Sequence, residues 1–208
     1  IRTEITREAL DVPSVITTFV ENDTVAHVKL LKFGADTDKE WQKMVNEVIN
    51  KKPEVTSLIL DLRNNPGGYL QGAVDIAGEF VKKDSVIVIE DKGIEKNEFK
   101  TDRTGRFQNL KVVVLVNGGS ASASEILAGA LSEIKGYKLV GDKTFGKGTI
   151  QEPLQLEKGS SLHITIAKWL TPKGTWVHDK GLEPDVKVED DDKTEVDEQL
   201  QEALKLLK

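Results

Sequence analysis

Three serines, Ser120, Ser122 and Ser124, alternate with alanines directly after an Asn117-Gly118-Gly119 turn, and Lys147 follows further on between two glycines. A serine hydroxyl is a poor nucleophile at neutral pH until a neighbouring base takes its proton. Histidine is the common base, and the chain carries His27, His163 and His178. His27 and His163 stand in alternating, strand-like segments, and His178 in a turn-rich one. None accompanies a strand–helix junction together with an orienting acid, so all three are read as structural or incidental. A lysine can replace histidine where burial disfavours its charged form. Such a lysine belongs among glycines and apolar residues. Lys147 has Phe145, Gly146, Gly148 and Ile150 around it, whereas Lys51-Lys52 and Lys82-Lys83 sit in solvated company. Residue types alone point to serine-lysine hydrolysis and leave the choice among the three serines open.

The same segment offers a second chemistry. Gly141-Asp142-Lys143-Thr144-Phe145-Gly146-Lys147 follows a phosphate-binding loop as far as its lysine. The next position should carry the Ser or Thr that holds Mg²⁺, and the loop should open a helix. Gly148 stands there instead, and residues 149–156 read as extended. Nucleotide binding fails on the metal ligand.

The elements that must position this chemistry follow from the apolar pattern. Residues 112–116, VVVLV, read as a buried strand that breaks at the glycine turn. A helix then opens near Ser124, where small residues admit a substrate or another backbone. Serines there cap the helix, and its free N–H groups favour an anion. A strand, a sharp turn and a helix start lift a nucleophile out of a sheet. A second strand, residues 137–140, leads towards Lys147. Upstream, TSLILDL at 56–62 is another buried strand, followed by Arg63-Asn64-Asn65-Pro66-Gly67-Gly68 and a helix over 71–82. Repeated strand–turn–helix units predict an α/β fold with parallel strands. Strands at 14–19 and 24–32 pair around Glu21-Asn22-Asp23. A helix over 37–50 buries Trp41, Met44, Val45 and Val48 as ordinary core. Residues 85–89 form a strand, 90–108 a polar hairpin or surface excursion, and 148–156 pairs with 161–168. The acidic run at 189–192 reads as a solvated loop. An amphipathic helix over 195–208 carries Leu200, Ala203, Leu204 and Leu207.

Composition narrows the function classes. A chain of 208 residues suits one domain, or one with an appendage, and with 38% apolar and 31% charged residues it is of ordinary globular type. A net charge of −6 argues against nucleic acid as the main partner. The absence of cysteine excludes disulfides, thiolate metal sites and a cysteine nucleophile. No apolar run is long enough for a membrane-spanning helix, and no signal peptide opens the chain. The missing initiator Met is expected of a fragment or a processed form.

Taken together, VLVNGGSASASEILAGAL, GDKTFGKGTIQ, LILDLRNNPGG at 58–68 and LTPKGTWVHDKGLEPDV at 170–186 strongly resemble the carboxyl-terminal processing peptidases, also called tail-specific proteases. The likeness extends over about residues 12–188. It implies a serine endopeptidase with a Ser-Lys pair, cutting near the C-terminal tails of proteins through an acyl-enzyme, with no cofactor and no metal. By this resemblance Ser122 is the nucleophile, Lys147 the base at a separation of 147 − 122 = 25 positions, and Gln151 the residue that orients the lysine. If 148–156 is a strand, Lys147 and Gln151 share a face. The oxyanion donors implied are the N–H of Ala123 and that of Gly67 or Gly68, since glycine lets a backbone N–H approach a substrate unobstructed. Arg63 and Asn64 brace that turn, Ser120 and Ser124 cap and pack, and Glu133 is structural.

The fold implied by resemblance is an α/β, ClpP/crotonase-like spiral of ββα units around a mixed sheet. The pattern of elements alone leaves a doubly wound sheet open. Family members usually carry a PDZ domain ahead of this core, which reads a substrate C-terminus by strand addition. Residues 1–10 are therefore expected as a remnant last strand of that domain. Residues 11–190 are then the peptidase core, and 191–208 an acidic linker with a C-terminal helix. The partners implied are unfolded or tailed protein substrates, a second copy in a full-length homodimer, and a regulatory partner through the PDZ domain. No nucleic acid is expected. The location implied is extracytoplasmic, in a bacterial cell envelope or secreted. Two rival expectations stand beside it: a catalytically idle core that needs its PDZ domain or a partner, and a crotonase-fold acyl-CoA enzyme with a coenzyme A site and a different base.

Overall fold

The computed structural model describes residues 12–189 and 196–208. The expected remnant strand at 1–10 and most of the acidic run lie outside the described residues. In chain order the elements are β1 (Val15–Val20), β2 (Val25–Leu30), α1 (Thr37–Asn50), β3 (Ser57–Asp61), α2 (Leu70–Ala77), β4 (Val86–Asp91) and β5 (Lys96–Lys100). There follow β6 (Lys111–Val116), α3 (Ala123–Lys135), β7 (Lys138–Gly141), β8 (Thr149–Gln155), β9 (Ser161–Leu170), β10 (Val186–Lys187) and α4 (Glu198–Leu207).

Apolar runs without alternation form a sheet buried on both faces. Its order is β1-β2-β3-β6-β7-β10, parallel from β2 onward with β1 antiparallel at one edge. The sheet is mixed, as expected. Along β3, Leu58 and Leu60 join the main core while Ile59 faces the other side; along β6, Val112, Val114 and Val116 oppose Val113 and Leu115. The main core takes in Trp41, Met44, Val45 and Val48 of α1 and the apolar side of α2 and α3. Helix α4 covers the opposite face, where Ala203 and Leu207 meet Val25, Ile59, Val113, Leu115 and Val140. An antiparallel sheet, β5-β4-β9-β8, makes the second layer of strands.

The β1–β2 pair turns through Glu21, Asn22 and Asp23, all three at positive φ. Helix α2 is shorter than the pattern predicts, ending at Ala77 rather than near residue 82. Its apolar spacing continues, yet Glu79 is fully buried and receives Arg103 at 2.9 Å and Arg106. Phe80 turns into the core against Trp41 and Phe107. Long-range ion pairing and aromatic packing stop a helix that periodicity alone would extend.

Candidate active site

The turn after β6 fixes what each of the three serines can do. Ser120 Oγ donates to the Leu62 carbonyl at 2.8 Å and accepts the Asn117 N–H at 3.0 Å. Ser124 Oγ donates to the Asn65 carbonyl at 2.9 Å. Both are fully buried and committed to backbone. Ser122 lies between them, partly exposed, at the N-cap of α3 with φ 56° and ψ −116°. A side chain at positive φ costs about 1–3 kcal/mol and persists only where its surroundings impose it. Here the imposing neighbour is Gly67: a Cβ built there would lie 2.8 Å from Ser122 Cβ and 2.9 Å from Ala123 N. The two turns, one after β3 and one after β6, are pressed together at that glycine.

Hydrogen bonds hold them so. Asn65, fully buried, accepts the Ala121 N–H on its carbonyl at 3.0 Å and the Gly67 N–H on its side-chain oxygen at 2.9 Å. Asn64 and Asn117 exchange bonds: the Asn64 N–H donates to Asn117 Oδ1 at 2.9 Å, and Asn117 Nδ2 donates to Asn64 Oδ1 at 3.0 Å. With the Gly67 N–H taken by Asn65, the expected choice between Gly67 and Gly68 narrows. The Gly68 N–H makes no hydrogen bond among the described residues, and Gly68 lines the cleft beside Ser122. Ala123 is the first residue of α3, so its N–H has no partner within the helix.

Lys147 arrives from β7 through the segment 141–148. The buried carboxylate of Glu125 organises this approach. Its Oε2 accepts the Ser122 N–H at 2.9 Å and the Lys147 N–H at 2.8 Å. Its Oε1 accepts Thr144 Oγ1 at 2.6 Å and the Gly146 N–H at 2.7 Å. One side chain thus ties the backbones of Ser122 and Lys147 together. On the far side, Trp169 Nε1 donates to the Lys147 carbonyl and Trp176 Nε1 to the Gly148 carbonyl, each at 2.9 Å. No carboxylate among the described residues forms an ion pair with the Lys147 ammonium group.

Ser122, Lys147, Gln151 and Gly68 line one cleft of about 290 Å³, with Tyr69, Leu70, Ile126, Ile150, His163 and Trp169 as further walls. Lys147, Thr149 and Gln151, alternate positions leading into and along β8, all line the cleft, in line with the expected alternation, and Ile150 lines it as well. The β8–β9 register shift between Ile150 and Gln151 puts its extra residue, Ile166, on β9.

The remaining candidates fall elsewhere. Glu133 accepts Thr171 Oγ1 and the Lys173 N–H, both at 2.7 Å, and braces a turn. Arg63 points away from the cleft into an ion cluster at the end of β3, where Asp61 and Asp197 each bind it through two oxygens. His27 is buried 3.0 Å from Asp61, and His178 Nδ1 accepts the Gly148 N–H at 3.3 Å. His163, read as incidental, forms part of the cleft wall. Sequence reasoning passed over Glu125, Asn65 and Thr144. The Ser-x-x-Glu spacing at 122–125 was the available signal, because it is that of a capping box.

Comparison with known proteins places this arrangement. Residues 24–188 match the family described as peptidase family S41. The chain is 40% identical over 175 residues to the carboxy-terminal processing protease CtpB of Bacillus subtilis, covering 83% of this chain and 36% of that protein. It is 40% identical over 187 residues to a probable CtpA-like serine protease of Staphylococcus haemolyticus, covering 89% and 37%. The solved photosystem II D1 C-terminal processing protease superposes with a TM-score of 0.77 at 31% identity, over 88% of this chain and 50% of that one. The chain therefore spans between about a third and a half of the length of these relatives. With the family match running from β2 through β10 and enclosing the whole cleft, the chain belongs to peptidase family S41.

Proposed function

We propose that this chain is the catalytic core of a serine endopeptidase that cuts proteins near their C-terminal tails, with Ser122 as nucleophile and Lys147 as base. The observation that carries the reading is the convergence of Ser122, Lys147 and Gln151 on one cleft, with the Ser122 and Lys147 backbones held by one oxygen of Glu125. In this mechanism the uncharged Lys147 amine takes the Ser122 proton as Oγ bonds to the scissile carbonyl carbon. The oxyanion forms where the N–H groups of Gly68 and Ala123 meet it. As the C–N bond breaks, the Lys147 ammonium returns the proton to the leaving amine. Water, deprotonated by the same lysine, then releases the acyl group. Gln151 orients the amine. The tail preference rests on the names of the relatives, which are carboxy-terminal processing proteases.

Cleavage of a disordered protein with an apolar C-terminal tail tests this. Ser122→Ala and Lys147→Ala should each lower the rate by about 10⁴-fold or more. Equal cleavage by all three proteins would remove Ser122 and Lys147 from the mechanism.

A further inference from the structure

A second cavity adjoins the catalytic cleft. It holds about 250 Å³ between the start of α1 and the first turns of α2, walled by Gly34, Ala35, Tyr69, Gly72 and Ile76 with Asp38 and Asp75 on its rim. Tyr69, 63% exposed, lines both cavities, so the two adjoin at this residue. The walls are mainly apolar. The only charged groups that line it are the two carboxylates, neither of which meets a cation among the described residues. Gln71 Nε2 holds one oxygen of Asp75 at 2.8 Å, and Gln42 Nε2 reaches Asp38 at 3.4 Å, which leaves acceptor oxygens on both. Lys32 lays its stem along Gly34, and Lys100 lines a neighbouring hollow with Asp75, but no lysine lines this cavity.

An apolar wall ending in two carboxylates suits a side chain with a long hydrocarbon stem and a cationic head. We propose that this cavity is a substrate subsite that accepts a lysine or arginine of the polypeptide lying in the catalytic cleft. The inference rests on the peptidase reading and names part of its substrate. A chain held at Ser122 that passes Tyr69 lays a side chain into the second cavity within a few residues of the scissile bond, since an extended residue advances about 3.3 Å. Charge complementarity and continuity with the cleft select this occupant over an apolar side chain alone. A purely aliphatic residue would fill the apolar wall but gain nothing from the two rim carboxylates, which would stay with Gln42, Gln71 and solvent.

The experiment uses unstructured peptides sharing one cleavage site, with Lys, Arg, Ala, Leu or Glu placed singly along the residues flanking it. Binding is measured to the Ser122→Ala chain, cleavage by the unaltered chain. At one position Lys and Arg should bind about fivefold tighter than Ala, and Glu more weakly, an effect that fades with added salt. In Ser122→Ala combined with Asp38→Asn and Asp75→Asn, the Lys-to-Ala ratio should fall to about one. A ratio that survives the double substitution, or no position that favours a cation, overturns the subsite. A position that favours Leu over Lys does the same. Basic preference in binding without cleavage by the unaltered chain would uphold the subsite and sink the peptidase reading, so the two failures are told apart.

Discussion

At the scale of single residues, the separation between the proposed nucleophile and base depends on Glu125. Its four acceptor bonds reach residues 19 to 22 positions away on one side and its own helix start on the other. A carboxylate is required because every contact is a donor pointing inward; an amide of the same shape would present two N–H groups to N–H and O–H donors. Glu125→Gln should therefore lower kcat by about 100-fold with little change in KM, because the reacting groups lose their relative placement while the cleft walls remain. Steady-state kinetics on the same tailed substrate check this. A rise in KM with kcat intact would mean that Glu125 acts on binding instead. Glu125→Asp, which keeps the charge but shortens the reach, should recover part of the lost kcat.

At the scale of elements, the turn that carries Gly68 is anchored from behind by the C-terminal helix. Asp197 caps α4 through the Leu200 N–H at 2.8 Å and binds Arg63 through both oxygens. Arg63 is joined to Asp61 by side-chain bonds of 2.7 and 2.9 Å and by its own N–H at 3.1 Å. The path from α4 to the candidate oxyanion turn is therefore a guanidinium flanked by two carboxylates, then Asn64 and Asn65. Asp197→Ala removes a helix cap and half of this clamp and should cost about 1–3 kcal/mol of stability. Thermal unfolding reads the loss directly. Unchanged stability would show that α4 is held by its packing face and remaining hydrogen bonds without this clamp.

At the scale of the whole molecule, several carboxylates are held ionised by the fold, and stability should follow pH accordingly. Burial opposes the charge on Asp61, yet hydrogen bonds from His27 and Arg63 outweigh it and keep the carboxyl well below its usual range. Asp197 is lowered against its burial by Arg63 and the Leu200 N–H, and Glu79 against its burial by Arg106 and Arg103. Asp185, also opposed by burial, is lowered by the Leu139 N–H and Lys138. A carboxyl with a depressed folded-state pKa stabilises the native state above its unfolded value of about 4 and loses that contribution as pH falls further. Unfolding midpoints should hold from pH 7 to about 5 and drop steeply below about 4. A midpoint that stays level to pH 3 would show that these pairs carry little of the stability. On the β8–β9 hairpin, Leu154, Leu162, Ile164 and Ile166 are between 41 and 51% exposed.

The sequence determined the parts that depend on local pattern. Unbroken apolar runs specified the parallel strands, α1 buried the four residues its period marks, and the Asn-Gly-Gly and Pro-Gly-Gly turns fell between strand and helix as read. The resemblance carried by LDLRNNPGG, SASASE and TFGKG pointed to the same family that residues 24–188 match. Tertiary structure decided what depends on distant partners. It ended α2 at Ala77, where a buried Glu79 meets two arginines from the following excursion. It spent the Gly67 N–H on Asn65 and left that of Gly68 without a partner among the described residues, and it made Glu125 the link between two segments. Periodicity reports which face of an element is buried, but hydrogen bonds between segments 21 to 134 residues apart depend on where the completed fold sets those segments side by side.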